Sequence, residues 1–194
     1  MQKYDLQCQI KPKRALKSAG RSDMVVPNRL NQQFQARQPN EKWATDVTYL
    51  PYGQTMWYLS TMMGLYNNEV LAYTIPGRQD TALVLETLER AYAGWEINGT
   101  VLHSDQGCQY TSYAFQEEAH KKGIITSMCR RDNCFDNAVI ESFHSSLKSE
   151  GFRTPRGSTI ILENVQTYMY YYNYQRPFTK LAFHTLMEYR TAEG

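Results

Sequence analysis

Asp46, Asp105 and Glu141 are the side chains whose types and settings point most directly to chemistry. Asp46 lies in Trp43-Ala44-Thr45-Asp46-Val47-Thr48-Tyr49-Leu50, a β-branched and aromatic run that predicts a strand. Asp105 lies where Val101-Leu102-His103-Ser104 gives way to Gln106-Gly107, a strand end entering a turn. Glu141 lies in Asp136-Asn137-Ala138-Val139-Ile140-Glu141-Ser142-Phe143, which predicts a helix, with 35 residues between it and Asp105. Two strand-borne aspartates and one helix-borne glutamate can converge on a pair of divalent ions. Magnesium takes a few carboxylate oxygens and keeps several waters. Two such ions about 3.5–4 Å apart activate the attacking oxygen and stabilise the leaving oxygen of an in-line displacement. The chemistry indicated is therefore metal-assisted attack on a phosphodiester. No Ser–His–Asp order and no Gly-rich phosphate loop suggests a different one.

The helix that carries Glu141 has a readable phase. Glu141, Ser145 and Lys148 stand at i, i+4 and i+7 and share one face. Val139, Ile140, Phe143 and Leu147 fall on the other and are expected to pack on the sheet. Lys148 either holds a phosphate beside the acids or belongs to an ordinary solvated Glu/Lys face. The preceding loop, Cys129-Arg130-Arg131-Asp132-Asn133-Cys134, sets two arginines side by side. They suit phosphate contacts, or the loop is simply solvated. His103, near the Asp105 turn, either supports the site or is structural. Tyr168, Tyr170, Tyr171, Tyr172 and Tyr174 crowd one segment, and helix packing explains them better than base stacking.

These residues need a frame. Residues 43–50 predict a first strand, Pro51-Tyr52-Gly53-Gln54 a turn, and 56–66 and 70–75 two further strands joined at Asn67-Asn68. Asp80 is a candidate cap for a helix whose Val84, Leu85, Leu88, Ala91 and Tyr92 recur at helical spacing. Asn98-Gly99 ends that unit. Residues 100–104 predict a fourth strand, 112–122 a helix closed by Gly123, and 124–128 a fifth strand. Asp136 is expected to cap the Glu141 helix and Gly151 to stop it. Two more helices are expected over 160–174 and 185–190. The order is three antiparallel strands, then helix, strand, helix, strand, helix. It resembles a ribonuclease H-like fold: an α/β five-stranded mixed sheet flanked by helices, with a helical C-terminal extension.

Composition is consistent with this. The chain has 194 residues, 42% hydrophobic and 21% charged, which suits one domain with a short appendage. No run approaches the length of an apolar membrane span, and the polar, basic N-terminus is unlike a signal peptide. No membrane association and a cytoplasmic location are expected. Cys8, Cys108, Cys129 and Cys134 form no close pair, so a zinc site is not indicated and reduced thiols are expected. Charge is uneven. Residues 1–37 carry eight Lys or Arg against Asp5 and Asp23, a balance of +6, whereas the remainder is −4. Residues 1–38, short of apolar periodicity, read as a basic arm or linker, either touching a polyanion or solubilising the chain. Pro39-Asn40 then opens the folded body, residues 39–194.

Several segments together resemble the OrfB-type transposases of bacterial insertion sequences, whose catalytic core is similar to retroviral integrase. They are Pro39 to Tyr49, His103-Ser104-Asp105-Gln106-Gly107-Cys108-Gln109-Tyr110, Asn133 to Phe143 running on to Leu147-Lys148, and Tyr171-Tyr172-Asn173-Tyr174-Gln175-Arg176-Pro177. The resemblance covers residues 39–190 and includes the spacing from Asp105 to Glu141 and the basic residue seven positions on. It implies a DDE recombinase in which Asp46, Asp105 and Glu141 bind two Mg²⁺ ions, with Mn²⁺ as substitute. Water would free a 3′-hydroxyl at the element's end, and that hydroxyl would attack a second phosphodiester, with neither ATP nor a covalent protein–DNA intermediate. Lys148, Arg130, Arg131 and Asn137 would contact DNA, Asn137 alternatively shaping the turn. Transposon ends and target DNA, a homo-multimer on DNA and a companion protein from an upstream reading frame are the implied partners. The chain departs from the family at Phe178, where His is usual, at Leu186, where Pro is common, and at Asp132, where Gly is common. It begins within the basic stretch that in the family follows helix-turn-helix regions. The alternative reading is a truncated fragment that binds DNA or full-length transposase without catalysing transposition.

Overall fold

The computed structural model describes residues 24–52, 54–75, 78–97, 99–130, 134–152 and 160–193. Strands β1 (Lys42–Tyr52), β2 (Thr55–Gly64) and β3 (Val70–Thr74) lead into helix α1 (Thr81–Gly94). Strand β4 (Val101–Ser104), helix α2 (Tyr113–Lys121) and strand β5 (Ile125–Met128) follow. A 3-10 turn (Cys134–Asn137) enters helix α3 (Ala138–Glu150). Helix α4 (Ile160–Tyr174), a 3-10 turn (Thr179–Leu181) and helix α5 (Leu186–Glu193) complete the chain. The strands lie in the order β3-β2-β1-β4-β5. β1, β2 and β3 pair antiparallel, whereas β1–β4 and β4–β5 pair parallel.

Strand alternation sends neighbouring residues to opposite faces. Trp43 enters the core under α1 and α2, with Leu102, Met128, Val84, Leu88 and Phe115. Ala44 enters the other core, with Ile140, Phe143 and Leu147 of α3 and Ile161, Val165 and Tyr168 of α4. The first hairpin is tighter than expected. Pro51 and Tyr52 remain in β1, paired with Met56 and Thr55, so the strands run further into the expected turn. Between β2 and β3, Asn68 takes the left-handed conformation (φ 66°) that asparagine tolerates in turns. Asp80 caps α1 by accepting from the Leu83 N–H at 3.1 Å, as expected. No helix among the described residues is long and apolar enough to cross a membrane.

Two expectations are revised. Residues 24–38 do bury apolar surface, since Leu30 and Ala36 are both in the α3-side core. The segment is tied down by Met24 N–H to Thr111 O (2.8 Å), by Arg29 and Leu30 N–H to Ser127 Oγ (2.8 and 3.2 Å), and by Lys42 Nζ to Gln33 O and Gln35 O (3.1 and 2.9 Å). Its polar composition hides two apolar anchors too far apart to show a period. Residues 1–23 lie outside the described residues. Asp136, in turn, does not cap α3. Asn137 occupies the N-cap position without a side-chain cap bond. The Asp136 carboxylate is drawn away by stronger donors described below.

The C-terminal elements close the α3-side core. Asn173 pairs its amide with both backbone groups of Val70, accepting from N (2.9 Å) and donating to O (2.8 Å), which blunts part of the β3 edge. Tyr168 and Tyr172 are buried, in accord with helix packing, whereas Tyr170, Tyr171 and Tyr174 are exposed. Leu186 is fully buried, and Phe178 packs edge-on against Tyr172 with centroids 5.5 Å apart. These two departures from the family pattern are thus packing residues.

Candidate active site

Parallel pairing of β1 and β4 sets the site's level. Ala44 stands opposite His103 in the last register pair of β1 and β4; Asp46 lies two residues further along β1, and Asp105 lies just past the end of β4. Asp46 pairs across β1–β2 with Thr61. Asp105 begins the turn after β4, and its Oδ1 accepts the Gly107 N–H at 2.9 Å. A Cβ on residue 107 would stand 2.9 Å from that oxygen, so glycine is needed for this close approach. Gln106 Nε2 donates to Cys129 O at 2.8 Å and holds the turn against the end of β5.

Glu141 is exposed on α3, as are Ser145 and Lys148, while Ile140, Phe143 and Leu147 are buried. The expected helix phase is observed. Burial raises the Asp105 carboxyl above its ordinary range; the Gly107 N–H opposes this, and the charges of Asp46 and Glu141 add to it. The three acids therefore share one electrostatic neighbourhood. Among the described residues, however, no three His, Cys, Asp or Glu side chains close into a group ready to hold an ion. Like charges disfavour close approach, and the exposed Glu141 side chain has room to stay apart. The donor chemistry fits magnesium, since all three groups are carboxylates, one on a strand of a rigid sheet and one at the end of its neighbour.

One residue of the site escapes sequence reading. His144 is buried on α3, with Nδ1 3.3 Å from Asp46 Oδ2 and Nε2 3.2 Å from Thr61 Oγ1. A histidine within an otherwise apolar helical stripe was the available signal. His103 proves structural. Its Nδ1 meets Ser127 Oγ at 2.9 Å and its Nε2 meets Cys129 Sγ at 3.3 Å. Burial lowers its pKa and pushes the Cys129 thiol up to about 12, so this pair is a neutral imidazole beside an un-ionised thiol.

The residues expected at DNA are placed as follows. Lys148 is exposed on the Glu141 face. Arg130 is engaged by Asp136, with Nε 3.1 Å from Oδ2 and Nη2 2.9 Å from Oδ1. Asn137 is buried, with its Oδ1 lacking a partner, which suits shaping the turn better than surface contact. Arg131 lies outside the described residues, as does Asp132. Cys108 and Cys129 are free thiols.

Comparison with known proteins places this arrangement. Residues 36–134 match the model of the integrase core domain. The InsK transposase of insertion sequence element IS150 from Escherichia coli (strain K12) is 40% identical over 188 residues, 95% of this chain and 66% of that protein. A transposase-like protein of Haemophilus influenzae is 36% identical over 169 residues, covering 86% of this chain and 78% of its own length. Among solved structures, a chain of the simian T-cell lymphotropic virus intasome in complex with PP2A regulatory subunit B56 gamma superposes with a TM-score of 0.72 at 16% identity, over 87% of this chain and 59% of that one. The HTLV-2 integrase catalytic core domain in complex with magnesium gives 0.66 at 14% identity, over 80% of this chain and 99% of that one. At such identities the likeness speaks for the fold, which is the expected ribonuclease H-like one. The chain spans about two thirds of the length of the IS150 relative. It belongs to the integrase core domain family, alongside the transposases of bacterial insertion sequences.

Proposed function

We propose that this chain cleaves DNA and joins the freed end to a second DNA, with Asp46, Asp105 and Glu141 as the catalytic, metal-holding acids. The observation that supports the reading most is that β1, which bears Asp46, pairs parallel with β4, whose end leads directly into Asp105. Three carboxylates are hard oxygen donors suited to two Mg²⁺ ions, with Mn²⁺ as substitute. The crowding of negative charge at Asp105 is what such cations would relieve. When bound, the ions would supply Lewis acidity to the attacking and leaving oxygens of an in-line displacement.

Asp46 and Asp105 are the fixed anchors, and Glu141 has the longer, exposed side chain that adjusts to them. In cleavage, a water oxygen bonds to phosphorus at the element's end and its proton passes to solvent. The bond from phosphorus to the 3′ oxygen breaks, and that oxygen takes up a proton. In strand transfer the freed 3′-hydroxyl bonds to a phosphorus of the target DNA, and a target 3′ oxygen leaves. The second step makes one phosphodiester for each one broken, so ATP is not required. Lys148, two turns beyond Glu141 on the same face, holds the neighbouring phosphate, and Arg131 extends the basic contact. The partners are transposon ends and target DNA, bound by a multimer of this chain in the cytoplasm, with a companion upstream-frame protein. The intasome and the trimeric integrase core among the structural likenesses support assembly as a multimer.

The test is a strand-transfer assay with Mn²⁺, using duplexes that carry the inverted repeats flanking the coding region. The wild type should nick and join them, and Asp105→Asn should not. If both are equally inert yet bind the duplex, the chain is a binding module. Equal activity in both would remove Asp105 from the chemistry.

A further inference from the structure

We infer that His144 is a positioning residue that holds the Asp46 carboxylate and ties the Glu141 helix to it. The inference rests on the reading of Asp46 as a metal-holding acid. His144 is the polar exception in a buried stripe formed by Ile140, Phe143 and Leu147. A buried imidazole needs polar neighbours, and each nitrogen faces one: Nε2 within a hydrogen bond and Nδ1 at ion-pair distance. Nδ1 is 3.3 Å from Asp46 Oδ2 and Nε2 is 3.2 Å from Thr61 Oγ1. Those partners are not independent, because Asp46 and Thr61 form a register pair across β1 and β2. The ring therefore bridges one rung of the sheet.

Chemistry selects the tautomer. A carboxylate offers Nδ1 only lone pairs, so Nδ1 must carry the proton to avoid repulsion. Nε2 faces the Thr61 hydroxyl, which can donate to a bare nitrogen or accept from a protonated one. That hydroxyl is fully buried, which fixes the far side of the ring. Glu141 lies three residues earlier on the same helix, one turn away. A single rigid element thus carries the third acid and the group that orients the first. Carboxylates that hold metal are commonly oriented by polar groups of this outer layer, whose loss typically weakens metal binding by about 10- to 100-fold.

The test exploits side-chain geometry. The amide nitrogen of asparagine can take the place of Nδ1, whereas that of glutamine can take the place of Nε2. Titration with MnCl₂ followed by calorimetry should leave His144→Asn within about 3-fold of wild type. His144→Gln and His144→Phe should each bind Mn²⁺ about 10-fold more weakly or worse. The metal concentration needed for half-maximal cleavage should shift in the same order. Glutamine outperforming asparagine, or all variants matching wild type, would overturn the inference. A second measurement uses unsubstituted apo protein: ¹⁵N–¹H correlation of the His144 ring should place a proton on Nδ1, and a bare Nδ1 would refute the assignment. If wild type and Asp105→Asn take up Mn²⁺ identically, the metal reading fails, and the ring-nitrogen spectrum still decides whether His144 holds Asp46.

Discussion

Replacing Asp136 with asparagine removes the acceptor on which two separate parts of the chain converge. Its carboxylate accepts from Arg130 N (2.9 Å), Arg130 Nε (3.1 Å), Arg130 Nη2 (2.9 Å), Asn28 Nδ2 (2.8 Å) and Gln32 Nε2 (3.1 Å). Those donors come from the β5–α3 connection and from the segment packed ahead of β1. An asparagine keeps one acceptor oxygen and turns an NH₂ group toward the remaining donors. Removing one member of a buried pair costs about 3–5 kcal/mol. The Asp136 side chain is shut off from solvent, but the Arg130 side chain is 50% exposed and can return to water. No buried charge is stranded, so the loss is that of charge-assisted hydrogen bonds, and Asp136→Asn should cost about 2 kcal/mol at neutral pH.

The loss should depend on pH. The Arg130 guanidinium, joined by the Arg130 and Gln32 N–H groups, holds the Asp136 carboxyl well below the usual carboxylate range against the opposing effect of burial. A carboxyl with a depressed folded pKa stabilises the fold above its unfolded value, about 3.9. That contribution fades as the pH falls below this value toward the folded one. Urea unfolding of wild type and Asp136→Asn should therefore show a wide gap at pH 7 that narrows progressively below pH of about 4. A gap under about 1 kcal/mol at pH 7, or one that stays constant down to pH of about 3, would refute the reasoning.

Gly107→Ala should displace the Asp105 carboxylate, because the new Cβ would stand 2.9 Å from Oδ1; Mn²⁺-dependent cleavage should fall about 100-fold while the thermal midpoint barely moves. Unchanged cleavage would show that the turn absorbs the methyl. Arg190→Met should cost about 3 kcal/mol in urea unfolding, since it strands the fully buried Glu69 to which Arg190 is paired. A second change, Glu69→Gln, should recover part of that loss, and a double variant less stable than Arg190→Met would contradict it. Lys148→Ala should lower the slope of log DNA affinity against log salt by about 1 without altering stability, and an unchanged slope would remove Lys148 from the DNA contact.

Residues that answer to one local period were legible in the sequence. Glu141, Ser145 and Lys148 fall on the outer face of α3 because helical phase alone decides it. Asp46 and Asp105 were placed on β1 and after β4 for the same kind of reason, alternation and turn chemistry. The misplacements involve competition between distant segments. Asp136 stands where a cap is expected, yet Arg130, Asn28 and Gln32 supply more and stronger donors than the first turn of α3. Leu30 and Ala36 sit in a polar stretch whose length suggested an arm, and only the assembled α3-side core gives them somewhere to pack. His144 acquires its meaning from the β1–β2 register, which brings Asp46 and Thr61 together and has no trace near residue 144.

The relative stiffness of α3 and its glutamate follows from the same contacts. At its N-terminal end α3 is anchored through Asp136. At its C-terminal end Glu150 Oε2 accepts from Arg176 Nη1 (3.0 Å) and Tyr168 Oη (3.1 Å). Between them Ile140, Phe143 and Leu147 are buried, each worth roughly 1.5–3 kcal/mol of transfer free energy. Shifting the helix would strain all of these at once. Rotating the exposed Glu141 side chain costs only its rotamer freedom, about 1.5–2 kcal/mol at most when fully fixed. The cheaper motion wins: the helix is the fixed part of the site and the glutamate the adjustable part. His144 belongs to the fixed part, which is why it can hold Asp46 steady while Glu141, one turn away, stays free to close on the same centre.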